Sequence, residues 1–183
     1  MDNEAISVAL DAEGAATIAG YTESTDIPIT PGAYDSENEF AKAASFVSRL
    51  DMLPNGVTKF GQSTPGPAGP IAIGVTAIPA VGSTTFGLTS TNGPPIAPGF
   101  LVFALGKLAD PVGAAGADLW LDPATLFAVL AQTSNGVGHS ELRIEIPSVV
   151  PAGFTWHSQY VWKQPGPSSG YAASNALEIV VQP

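Results

Sequence analysis

"AISVALDAEGAATIAGYT", residues 5–22, holds an alternating run, a glycine-containing turn and a second short run. Ile6, Val8 and Leu10 fall on one side of the first run, and Ala5, Ser7 and Ala9 on the other, the period-two pattern of a strand. "AEG" (12–14) turns the chain and "AATIAGYT" (15–22) follows, so the stretch reads as a β-hairpin. Beyond it, "TDIPITPGAYD" (25–35) carries Pro28 and Pro31 and is too proline-rich for a central strand. It reads as an ordered loop. Ser36 and Glu39 have capping-box spacing ahead of Phe40, which predicts a single helical turn. "SFVSRLD" (45–51) then returns as a third strand.

Charge divides the chain at about the point where this pattern ends. Of the formal net charge of −10, residues 1–51 carry −8, from ten acids set against Lys42 and Arg49. The remaining residues carry six acids and four bases, a net of −2, together with fifteen of the 17 prolines. Two compositions imply two modules: residues 1–53, a Pro/Gly linker over 54–69, and a second domain over 70–183. An acidic chain without a basic patch argues against nucleic acid and anionic membranes, since phosphate neutralisation needs clustered Lys and Arg. There is no cysteine, which removes disulfides and thiolate metal sites. No window reaches the ~18 continuous apolar residues of a membrane span, and "MDNEAISVAL" lacks the basic start and apolar core of a signal peptide.

After the linker, which contains the Asn55–Gly56 turn signal, short strands recur. They are read at 71–78, 84–90, 99–106, 117–121, 126–132, 140–146, 154–162 and 176–181. The clearest is "SELRIEI" (140–146), where Leu142, Ile144 and Ile146 alternate with Glu141, Arg143 and Glu145. Asp122–Pro123 is a helix-start signal ahead of "ATLFAVLAQ". Yet "FAVL" also suits an inner strand, and residues 122–132 are read as strand with helix as the alternative. Many short strands between turn residues predict an all-β chain whose second domain is a sandwich or jelly roll.

Two resemblances sharpen this reading. The strand ending in Asp11, then Gly14, "GYT" (20–22), "TDIP" (25–28), "TPGAY" (30–34) and "FVSRLD" (46–51) resemble one unit of the seven-bladed β-propeller repeat family of exported bacterial proteins. The chain departs from the repeat where "NEFAKAAS" stands in place of a Gly-Gly turn and an Asp. Downstream, "FGQSTPGPAG" (60–69), "DLWLDP" (118–123), "LRIEIPSVVPAGFTWHSQYVW" (142–162) and "SNALEIVV" (174–181) resemble a β-sandwich module that closes many large exported bacterial proteins. His157 stands where that family commonly has an aromatic. The resemblances imply a single propeller-type blade followed by a sandwich, at an extracellular or cell-surface location. A blade buries both faces against neighbours, so they also imply further blades of a longer protein, the chain's own downstream domain, or copies of the same chain as its cover.

Candidate chemistry is sparse. Asp35, Glu37, Asn38 and Glu39 place oxygen ligands at alternate positions and form a weak calcium candidate, set against a solvated acidic loop; no other cofactor is expected. His139 and His157 lie on separate strands, and no nucleophile elbow is present. Trp156, Tyr160 and Trp162, with Phe154, share one face of a strand. An exposed aromatic row stacks on sugar rings, whereas a buried one is simply core. Core is the favoured reading, with Thr155, His157, Gln159 and Val161 facing outward or lining the rim. The functional expectation is a non-catalytic structural or interaction module that binds blades, its own copies or a cell-surface polymer. The alternatives are a carbohydrate-binding module using Trp156, Tyr160 and Trp162, and an exported hydrolase fragment in which a His meets a carboxylate in a pocket.

Overall fold

The computed structural model describes residues 3–10, 16–25, 44–50, 53–66, 68–165 and 170–183. These residues are almost entirely β, the only helical element being a three-residue 3-10 turn at Pro123–Thr125. The chain divides into two compact units, Met1–Met52 and Leu53–Pro183.

Unit 1 is a three-stranded antiparallel meander of β1 (Asn3–Leu10), β2 (Ala16–Thr22) and β3 (Ala44–Leu50), with β2 in the centre. Register follows the alternation noted above. Val8, Ile18 and Ser48 form one cross-strand row, and Leu10, Ala16 and Leu50 the next row on the same face. A bulge falls between Ala5 and Ser7. On the opposite face the Tyr21 hydroxyl donates to Glu4 Oε2 at 2.7 Å. Gly20 sits in the middle strand where a Cβ would run into the Glu4 carbonyl and the Phe46 ring.

Unit 2 opens with β4 (Val57–Phe60), a strand inside the stretch read as linker. Its alternation is hidden among the surrounding Pro and Gly, but it pairs with the last strand of the chain. Next come β5 (Pro65–Gly66), β6 (Gly69–Pro70), β7 (Ala72–Val75), β8 (Gly87–Thr91), β9 (Pro98–Ala104), β10 (Lys107–Ala114) and β11 (Ala117–Leu121). Asp122 caps the 3-10 turn by accepting from the Ala124 N–H, so the helix-start signal is honoured for a single turn. The chain then extends as β12 (Leu126–Thr133), followed by β13 (Ser140–Arg143), β14 (Thr155–Lys163) and β15 (Tyr171–Val180). β10 escaped sequence reading because Asp110, Pro111 and Gly113 look like loop; it forms an irregular hairpin with β11, with its register broken between Lys107 and Val112.

The strands make a five-stranded sheet in the order β12-β9-β14-β15-β4 and a three-stranded sheet in the order β13-β8-β7. One face of the larger sheet and one face of the smaller supply a common core. Leu101, Trp156, Tyr160, Trp162, Leu177 and Ile179 come from the first, and Ile73 and Leu88 from the second, with Phe86 just ahead of β8. Fully burying side chains of this size stabilises by about 1.5–3 kcal/mol each, which makes this cluster the main source of cohesion in unit 2. Leu142, Ile144 and Ile146 point into it while Glu141 and Arg143 are exposed, as the alternation of "SELRIEI" requires.

The other face of the five-stranded sheet is covered as well. Ala104, Leu121 and Ala176 form a second cluster, with Phe60, Val102 and Trp120 packed against it, beneath the β10–β11 hairpin. Gly61 makes this docking possible. It has φ +70°, and a Cβ there would lie 2.4 Å from the Trp120 ring. With only hydrogen present, the indole lies over the backbone and its Nε1–H donates to the Gln62 carbonyl at 2.9 Å.

Candidate functional site

The first candidate is the face of unit 1 built from β1, β2 and β3. Val8 and Leu10 expose 67% and 72% of their surfaces, and Leu50 46%. A strand face with this composition ordinarily packs against something, because burying each such side chain stabilises by about 1.5–3 kcal/mol. Ile6, at the bulge, is also 70% exposed.

The second candidate is the aromatic row of β14, which the sugar-binding alternative needs at the surface. Trp156, Tyr160 and Trp162 are all buried. Tyr160 and Trp162 stack with centroids 5.5 Å apart, and Trp156 meets Phe86 edge-on at 6.1 Å. The polar atoms of two of these rings are used internally. The Tyr160 hydroxyl donates to the Leu88 carbonyl and Trp162 Nε1–H to Ser90 Oγ, both at 3.0 Å. β8 lies across the row and supplies both acceptors, so these rings belong to the core and present no platform for a pyranose. Phe154, outside the strand, remains 40% exposed.

The opposite face of β14 corrects a second expectation. His157 and Gln159, read as outward or rim residues, are 5% and 0% exposed. The reason is β11 over Gln159, and Phe60 and Glu178 against His157. Gln159 Nε2–H donates to the carbonyls of Asp118 (2.9 Å) and Ser174 (2.8 Å), and its Oε1 accepts from the Trp120 N–H at 3.0 Å. A buried amide thus fastens the hairpin to the sheet with every bond satisfied at ordinary geometry.

His157 does meet a carboxylate. Its Nε2 lies 3.1 Å from Glu178 Oε2, the oxygen that also accepts from Lys107 Nζ at 2.6 Å. Phe60 completes the group, edge-on to the imidazole at 5.7 Å with the Lys107 ammonium 5.3 Å from its ring centroid. The hydrogen bond from Lys107, and after it that from His157, holds the Glu178 carboxyl below the usual carboxylate range. The hydrolase alternative requires this pairing to line a pocket. Unit 2 has an apolar cavity of about 300 Å³, but Phe100, Val102, Leu119, Leu121, Val129 and Val161 line it, and neither His157 nor Glu178 does. His139 lies in a loop whose backbone is held by Asn135 Oδ1. Among the described residues, no group of three or more His, Asp or Glu could hold a metal ion. The calcium candidates Asp35, Glu37, Asn38 and Glu39, the capping-box turn and most of the proline-rich loop lie outside the described residues.

Comparison with protein-family models, with curated proteins and with solved structures gives no match.

Proposed function

We propose that the chain is a non-catalytic interaction module in which a propeller-type blade precedes a β-sandwich-like domain, and that it works outside the cell by docking its blade on further blades. Those blades belong either to a longer chain of the same kind or to other copies of this one. The observation that carries the reading is the apolar face of unit 1. Val8, Leu10 and Leu50 stand exposed on a three-stranded sheet, and such a sheet gains stability when a neighbour covers it. The blade and sandwich assignments rest on the sequence landmarks. A five-stranded and a three-stranded sheet sharing one core agree with the second of them. The acidic composition favours a protein or neutral polymer surface over nucleic acid.

The test compares the full chain with Val8→Asp/Leu10→Asp, by light scattering and by binding of a hydrophobic fluorescent dye. The full chain is expected to show dye binding or a blade-dependent assembly, and the double variant to lose both. Identical mass and identical dye response in the two proteins would sink the reading.

A further inference from the structure

Edge strands carry unpaired N–H and C=O groups, and proteins ordinarily blunt them with charge, proline, brevity or a bulge. In unit 2 most edges follow this rule. β4 has four residues including Lys59, β13 has four including Glu141 and Arg143, β10 carries Lys107, Asp110 and Pro111, and β7 has four residues. In unit 1, β3 carries Arg49, and β1 carries Glu4 with a bulge in its middle. β12 does not follow the rule. It forms one edge of the five-stranded sheet, runs for eight residues as "LFAVLAQT", and contains no charge and no proline. Its bulge lies at the entry end, between Leu126 and Ala128, and leaves Ala128–Thr133 in unbroken register with β9.

The side chains of this strand are as open as its backbone edge. Leu126, Phe127, Val129 and Leu130 expose 44%, 54%, 52% and 42% of their surfaces. The apolar surface continues past the edge, because Leu126 and Val129 also line the cavity beneath the β10–β11 hairpin.

We infer that β12 is an interface for a second copy of this chain, pairing antiparallel with β12 of that copy about a two-fold axis so that the two five-stranded sheets become one. Charge singles out this occupant. Two chains of net −10 repel one another, and they meet at least cost where neither brings an ionised side chain. The chain is free of Asp, Glu, Lys and Arg from Pro123 to Ser140, and β12 lies within that window. A basic or acidic partner segment would find no counter-charge on this edge. The other described edges that a second copy offers are short, charged, bulged or interrupted, so β12 is its own best match. An isologous pairing of this kind closes at two copies. The interface stands on unit 2 alone and is independent of the blade reading.

Symmetry provides the test. In a two-fold antiparallel pair, one residue near the middle of the strand faces its own mate with Cα atoms about 4.5–5.5 Å apart, within the span of a disulfide. The chain has no native cysteine, so single cysteines report cleanly. In the full chain, one among Ala128→Cys, Val129→Cys, Leu130→Cys and Ala131→Cys is expected to form a disulfide dimer under mild oxidation. Val149→Cys, at a site 85% exposed and outside β12, serves as the random-collision control. In sedimentation, Val129→Lys and Leu130→Lys are each expected to raise the dimer dissociation constant at least about tenfold, since each places like charges across the axis. Val8→Asp/Leu10→Asp is expected to leave this dimer intact, so failure of the blade reading and failure of this one are separable. If no β12 cysteine dimerises faster than Val149→Cys, or if the lysine variants sediment as the parent does, the interface is overturned.

Discussion

Gln159 Oε1 accepts a hydrogen bond from the backbone N–H of Trp120 at 3.0 Å, across the gap between β14 and β11. With the bond that Gln159 Nε2 donates to the Asp118 carbonyl, it ties β11 to β14, beside the Trp120–Gln62 and Lys107–Glu178 bonds of the same hairpin. Gln159→Leu keeps the bulk but takes away the partner of the buried Ser174 carbonyl and of the half-buried Trp120 N–H and the Asp118 carbonyl. The expected loss is roughly 1–3 kcal/mol, the range for an unsatisfied buried group. Denaturant titration measures it, and a midpoint unchanged from the parent would show the amide to be dispensable.

Gly61→Ala attacks the same contact from the other side. A methyl group at a left-handed φ of +70°, 2.4 Å from the Trp120 ring, forces the indole off the backbone. Indole emission is expected to shift to the red, and proteolysis within residues 107–121 to accelerate. The emission of Trp156 and Trp162, held in the main core, stays as it was. Unaltered cleavage would show that the hairpin is held without Trp120.

Glu178 gives unit 2 an acid limb. Its folded pKa is depressed, so the stabilisation it supplies is fully present above the ordinary carboxylate range and fades as pH falls through the folded value. Thermal melts of the parent should therefore decline through that window more steeply than those of Glu178→Gln. Because the carboxylate is partly exposed, at 27%, added salt should shrink the difference. Parallel acid limbs for the two proteins would contradict the assignment.

Tyr160 acts at the other end of the pH scale. Burial raises its phenol from 10.0 to about 12. The folded state keeps the proton that the unfolded chain releases, so stability is whole below pH 10 and drains away between there and about pH 12. Tyr160→Phe should lose this alkaline limb. It also leaves the Leu88 carbonyl without its donor, at about 1–2 kcal/mol near neutral pH. Absorbance of the tyrosinate tracks the titration, and ionisation of Tyr160 near pH 10 in folded protein would refute it.

Much of this architecture was legible before any coordinates. Alternation located β1, β3 and β13, because a half-buried strand writes its two faces directly into its sequence, and β2, β8 and β9 were read as short runs set off by turn residues. β11 was found at its observed bounds, and the segment holding β12 was read as strand with helix left open, which the structure resolves as a 3-10 turn followed by a strand. Besides the two-residue β5 and β6, two strands hid for opposite reasons. β4 is too short to show a period, and β10 is broken by Pro111 and a register shift. The burial of His157 and Gln159 was not legible, since nothing local to "TWHSQYVW" shows what covers its second face. That knowledge lies some forty residues away in Asp118 and Trp120 for Gln159, and in Phe60 and Glu178 for His157. The open edge of β12 was likewise invisible, because strand order is decided by partners far apart in the chain.

β14 has β9 and β15 at its sides, the main core beneath it and the β11 layer above. Enclosure on every side has a kinetic meaning. Solvent deuterium reaches the amides of such a strand only when unit 2 opens as a whole, whereas β12, bare along one flank in the single chain, can exchange there through small local excursions. The slowest and the fastest clocks of the same sheet would therefore run two strands apart, with β9 between them.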